Sequence, residues 1–206
     1  MDILVVLEEN HGSLHRLSKE AIAGAQELGD EVVALAIGQH ANEIAGELSS
    51  FDLTDVITVD HEMVATYNAD GYSEVIKKII EAESPKIIVA GHTYQTRDFM
   101  PRVSAGLHIP FIPDIVSLSE SGFVKQVLNA KLNATASSNS DQVILSFQSA
   151  AFSEENIRPG SCSTRFFDIK LDSTIVRSIS EEPFQEAAGD VDLESAELLV
   201  SVGRGI

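Results

Sequence analysis

The run Lys86-Ile87-Ile88-Val89-Ala90-Gly91 is apolar at successive positions, and so on both faces of any strand it forms. Such a strand needs cover on both sides, which points to the interior of a parallel sheet between two helix layers. The surrounding sequence supplies those layers. Residues 3–7 form a short branched-rich run, followed by the polar Glu8-Glu9-Asn10-His11-Gly12. Ser13 is the expected N-cap of a helix carrying Leu14, Leu17, Ala21, Ile22, Ala25 and Leu28 at helical spacing, with Gly29 as its stop. Residues 31–37 and 56–59 predict further strands, with a weaker helix over 41–48 between them. A helix over 71–83 ends at Ser84-Pro85. After 86–91, Asp98 is the expected cap of a helix bearing Phe99, Met100, Val103 and Leu107, with Pro101 in its first turn, and 111–116 begins a fifth strand. This alternation is that of βαβ units.

Beyond Gly122 no helix pattern intervenes. Residues 123–128, 131–136 and 143–147 read as short strands joined by Ser, Asn and Asp turns, and 165–171 and 174–179 as two more. This half is expected to be antiparallel in character. The fold class expected is therefore three-layer α/β, a mostly parallel doubly wound sheet with antiparallel strands added in the second half. Residues 1–180 form the domain, 181–195 read as a linker, and 196–206 as the first strand and turn of a following domain.

The 206 residues carry a formal net charge of −18, which opposes binding to nucleic acid or to an anionic membrane surface. The lone Cys162 excludes an internal disulfide framework and a cysteine-ligated cluster, and is expected to be an ordinary part-buried thiol. The apolar runs are strand-sized, so no membrane insertion is expected. Met1-Asp2-Ile3-Leu4 lacks a basic leader, which makes the cytoplasm the expected compartment.

Four stretches carry a family resemblance in order along the chain. They are Ile3-Leu4-Val5-Val6-Leu7-Glu8-Glu9 with Gly12-Ser13-Leu14, then Ile87 to Ala105 with its Gly91-His92-Thr93-Tyr94 loop and Pro101-Arg102-Val103, then Pro113-Asp114-Ile115, and last Val200-Ser201-Val202-Gly203-Arg204-Gly205-Ile206. Together they resemble the N-terminal part of the α subunit of electron-transfer flavoproteins, stopping where the flavin domain of that family begins. The chain departs from the family pattern at Phe147-Gln148-Ser149-Ala150, where an arginine segment is usual, and at Leu132 and Val202, where glycines are usual.

The resemblance implies an adenine-nucleotide hydrolase-like fold and a heterodimer with a β subunit that holds AMP. It also implies FAD gripped by the domain after residue 206, with the Arg204 side chain against the flavin and Gly203 and Gly205 letting the backbone approach. The electron donors it implies are flavin dehydrogenases such as acyl-CoA dehydrogenases, and the acceptor a quinone-reducing one. The chain itself is then scaffold and subunit interface, an electron-carrier subunit and not an enzyme.

The residues agree in part. A phosphate cradle after the first strand requires free backbone donors and no nearby negative charge, yet Glu8 and Glu9 stand there. His92 and Tyr94 lie where ligands bind in parallel sheets, but without a recognised nucleophile or partnered carboxylate they read as a loop shaping a subunit contact. His11, His15, His40, His61 and His108 lack metal spacing. Two rival expectations remain: a stand-alone nucleotide-binding or stress-type α/β protein with a small-molecule site near Gly91, or a bare interaction module.

Overall fold

Residues 1–178, Leu198, residues 200–203 and Gly205 are described by a computed structural model. The chain begins with β1 (Ile3–Val6), a small hairpin of β2 (Glu9–Asn10) and β3 (Ser13–Leu14), and α1 (Arg16–Leu28). It continues through β4 (Val32–Ile37), α2 (Ala41–Glu47), β5 (Asp55–Val59), α3 (Ala69–Glu83), β6 (Ile87–Gly91) and α4 (Tyr94–Leu107). The second half holds β7 (Phe111–Ser119), β8 (Gly122–Val127), β9 (Leu132–Ala136), β10 (Val143–Phe147) and β11 (Ser163–Phe166).

Nine of these strands form one sheet in the order β11-β5-β4-β1-β6-β10-β7-β8-β9. All pairings from β11 to β7 are parallel, and β8 and β9 are added antiparallel at one edge. Alternate residues of each central strand enter opposite cores. Ile3, Val5, Val89 and Leu145 meet Ala21, Ile22 and Ala25 of α1 and Ile44 of α2. Leu4, Val6, Ile88 and Ile144 meet Val75, Ile76 and Ile79 of α3 and Phe99, Met100 and Val103 of α4. This is the expected three-layer, mostly parallel architecture.

Several local expectations are corrected. His15 caps α1 in place of Ser13, its Nδ1 accepting the Leu17 N–H at 3.1 Å, because Ser13 is taken up in the hairpin. Asn68 caps α3 with Oδ1 accepting from Gly71 N at 2.7 Å, so that helix starts before Gly71. Thr93, not Asp98, caps α4, which places Pro101 well inside the helix and not in its first turn. The largest correction concerns 143–147. β10 lies between β6 and β7, parallel to both, and not in an antiparallel half. β11 covers only Ser163–Phe166 and runs parallel to β5 at the opposite edge. Over 174–178 there is no strand; Asp172 caps a turn instead, accepting from Thr174 N at 2.9 Å. Residues 181–195 and most of the terminal strand expected at 196–200 lie outside the described residues.

Candidate functional site

From β1 the chain steps outward through β4 to β5, then crosses to β6 on the other side of β1 and steps away through β7. The order therefore reverses between β1 and β6, and crevices at such reversals, at the carboxyl ends of the strands, are where open α/β sheets bind ligands. Val6 and Ala90 are in register there, so the chain beyond them, Glu8 on one side and His92 and Thr93 on the other, frames a cleft of about 530 Å³. His15, Tyr94 and Arg97 complete its rim.

Glu8 fills the position at which an anion would sit. Its backbone is pinned: its N–H donates to Ser18 Oγ at 2.8 Å, and its carbonyl accepts from His15 N at 3.0 Å. Its carboxylate then accepts the hydroxyl proton of Thr93. Thr93 Oγ1 in turn accepts from Thr96 N at 3.0 Å as the α4 cap. The negative charge is thus delivered to a helix N-terminus by the chain itself. Glu9 consumes another turn donor, accepting from Gly12 N at 2.6 Å. These residues do not fit a phosphate-bearing cofactor at this crevice, because the carboxylate occupies and repels what the cleft would otherwise hold.

Burial raises the Glu8 carboxyl above its ordinary value of 4.5, opposed by the Thr93 hydrogen bond and by His15. The folded state takes up this proton at a higher pH than the unfolded state does. The contribution of Glu8 to stability is therefore largest below 4.5 and falls as pH rises through the raised value. Glu8→Gln keeps an acceptor for Thr93 and removes the charge. It is expected to stabilise the chain by on the order of 1 kcal/mol at pH 7.5, with the difference vanishing in acid. Urea unfolding at pH 4 and pH 7.5 checks this; a variant less stable at pH 7.5 would show that α4 needs the charge more than the burial penalises it.

The structure gathers three residues the sequence did not bring together. His92 Nδ1 lies 2.8 Å from Ser146 Oγ, and its Nε2 lies 4.0 Å from Asp114 Oδ1. The set has the composition of a nucleophilic triad but not its function. Ser146 is fully buried in β10, and its Oγ accepts the Asp114 N–H at 3.2 Å. Asp114 has φ 64° at a bulge, where Pro113 and Asp114 oppose the single residue Ser146. The hydroxyl serves the bulge. Burial pulls the His92 imidazole below its ordinary range, with Asp114 opposing, so the ring is neutral at pH 7. A serine inside the apolar run Val143-Ile144-Leu145-Ser146-Phe147 was the available signal for this network. Tyr94 is different: its ring is 88% exposed, with the Arg97 guanidinium over it at 5.6 Å from the centroid.

The remaining expected residues have other roles. His61 accepts from Met63 N at 3.1 Å through Nδ1, a cap like that of His15. No cluster of metal-ligating side chains occurs among the described residues. The Cys162 thiol donates to Leu48 O at 3.2 Å and is raised by burial, which fits a structural thiol. Gly203 and Gly205 have open space around them, and Arg204 lies outside the described residues.

Residues 3–164 match the family model described as electron transfer flavoprotein domain. The chain belongs to the electron transfer flavoprotein family. It is 30% identical over 213 residues to the electron transfer flavoprotein subunit alpha of Bacillus subtilis (strain 168), covering 99% of this chain and 64% of that protein. The corresponding subunit of Thermoanaerobacterium thermosaccharolyticum is 27% identical, with 100% of this chain and 66% of that protein covered. The acryloyl-CoA reductase electron transfer subunit beta of Anaerotignum propionicum is also 27% identical, over 100% of this chain and 66% of its own length. The chain thus spans about two thirds of the length of these relatives. Among the described residues no helix is long and apolar enough to cross a membrane.

Proposed function

We propose that this chain is the scaffold and subunit-contact part of a heterodimeric electron carrier, with the flavin chemistry done on a following domain. The observation that supports this most is the self-filled crevice: the ligand position of the fold is taken by Glu8, while Tyr94 and Arg97 are presented outward beside it. A sheet that has closed its own nucleotide position is suited to packing against other protein. In this reading residues 1–180 form the domain, 181–195 a tether, and 196–206 the opening of the flavin domain. Gly203, Arg204 and Gly205 line the flavin there, since a guanidinium pairs well with pyrophosphate or an electron-rich ring and glycines permit close approach. FAD supplies the electron transfer; the partner is a β subunit holding AMP, the donors flavin dehydrogenases and the acceptor a quinone reductase, all in the cytoplasm. The chain has no catalytic role of its own.

The test has three arms. The 206-residue chain, purified alone, is expected to be colourless and to leave the spectrum of added FAD unchanged; a yellow preparation would place the flavin on this domain. Co-expression with a family β subunit is expected to give a stable heterodimer on size exclusion, and a monomer counts against the scaffold role. In a chain extended through the flavin domain, Arg204→Ala is expected to raise the FAD dissociation constant about tenfold or more, the scale of one lost charge-assisted hydrogen bond. Unchanged affinity removes Arg204 from the site.

A further inference from the structure

Beyond β11 the chain leaves the sheet edge and turns back over the layer of α3 and α4. Its first part is held by burial. Phe167 N donates to Thr58 O at 2.9 Å, Ile169 is buried, and Phe167 and Leu171 pack on the core beneath α3 and α4. Its second part, residues 172–178, contains no buried residue. Behind it, between Val176 and Ser178 on one side and residues 62–68 on the other, lies a cleft of about 270 Å³, so apolar packing does not seat this stretch.

One carboxylate holds it. Asp70, in the first turn of α3, accepts from Arg177 three times: from the backbone N at 3.2 Å, from Nε at 3.3 Å and from Nη2 at 2.9 Å. Arg102 on α4 reaches the same carboxylate at 3.1 Å while its other nitrogens bond the carbonyl and carboxylate of Asp98 at 3.2 and 3.0 Å. The two guanidinium groups leave the Asp70 side chain only 10% exposed, whereas Arg177 remains 76% exposed. A bidentate clamp with an added backbone bond is among the stronger arrangements available to a surface carboxylate, yet at this exposure it is screened by salt.

We propose that residues 167–178 form a strap whose outer half is latched to the domain by Asp70, so that this one carboxylate sets the point from which the following chain departs. The device belongs to this chain's own ion pairs and does not rest on the electron-transfer reading. With the latch closed, the chain leaves beside the N-terminal turn of α3. With it open, the free segment begins after Leu171, and whatever follows gains the reach of that extra stretch.

Limited trypsin digestion of the 206-residue chain tests it. Cleavage after Arg177 is expected to be about three- to tenfold faster in Asp70→Asn than in the unaltered chain, the range one or two partly exposed ion pairs can supply. Salt at 0.5 M is expected to speed cleavage of the unaltered chain and to leave Asp70→Asn unchanged. Because Asp70 also sits at a helix N-terminus, Arg177→Gln provides a second reading that leaves α3 intact. Amide hydrogen exchange over 172–178 is expected to rise in that variant while exchange in 69–83 stays fixed. Equal cleavage rates for the unaltered chain and Asp70→Asn, or unchanged exchange over 172–178 in Arg177→Gln, would overturn the latch.

Discussion

Phe147→Ala is expected to lower the stability of this domain by about 3–5 kcal/mol, the scale for deleting a fully buried aromatic ring. Phe147 is 1% exposed at the carboxyl end of β10 and lies 4.4 Å, centroid to centroid, from Phe152. Gly24 of α1 is the notch into which both rings fit: a Cβ there would stand 2.5 Å from Phe147 and 2.9 Å from Phe152. The ring therefore joins α1 to the sheet, and its removal leaves a cavity that a backbone strand and a helix cannot both collapse around. Against a typical total of about 5–15 kcal/mol, this loss takes the domain to marginal stability. Urea denaturation should show it as a large fall in midpoint at unchanged slope, and Phe147→Leu should lose much less. The notch makes a further demand. Gly24→Ala meets the Phe147 ring most closely, so its cost is expected to shrink in the Phe147→Ala background, where only the approach to Phe152 remains and that ring has space to give way, a non-additivity a double-mutant cycle reads directly.

Gly91→Val is also expected to be strongly damaging. Gly91 ends β6 where the first turn of α1 crosses it, and a Cβ would stand 2.7 Å from Leu17 Cβ and 2.9 Å from Leu17 O. The second contact is with backbone, so no rotamer change relieves it. Alanine is expected to cost about 1–3 kcal/mol, and valine more, as overpacking does where the neighbour is a backbone. The damage should also be local to the crevice, because the displaced turn carries His15, whose N–H bonds the Glu8 carbonyl. Thermal unfolding measures the first effect, and faster exchange of the Leu17 and Ser18 amides the second. A Gly91→Val chain as stable as the unaltered one would show that α1 can shift without loss, and with it that the crevice is not set by this contact.

Much of the fold could be read before any coordinates. The two-faced apolar runs placed β1, β4, β5 and β6 in a covered parallel sheet, and helical spacing placed α1 and α3. The same two-faced rule applied to Val143-Ile144-Leu145-Ser146-Phe147 points inward, and all five residues are buried. Neighbouring hairpin signals at 123–136 drew that run into the antiparallel group, although hairpin partners need not be all of the strands near them in sequence. The caps of α1 and α4 lie two and five residues from the expected ones, because Ser13 and Asp98 satisfy the cap pattern as well as the residues that cap. Which of two good candidates caps depends on where the preceding strand releases the chain.

At the crevice the division is sharper. That Glu8 and Glu9 follow the first strand, and that such charge discourages a phosphate, is a property of sequence alone. That the Glu8 carboxylate closes on Thr93 across the reversal of strand order required β1 and β6, 80-odd residues apart, to lie side by side. Ser146 with His92 and Asp114, and Asp70 with Arg102 and Arg177, were beyond sequence for the same reason. Periodicity records which face of an element is apolar, so layers and buried strands are written locally. Polar contacts join single atoms on elements distant in the chain, and those are decided only when the sheet order and its crossovers bring them within hydrogen-bonding distance.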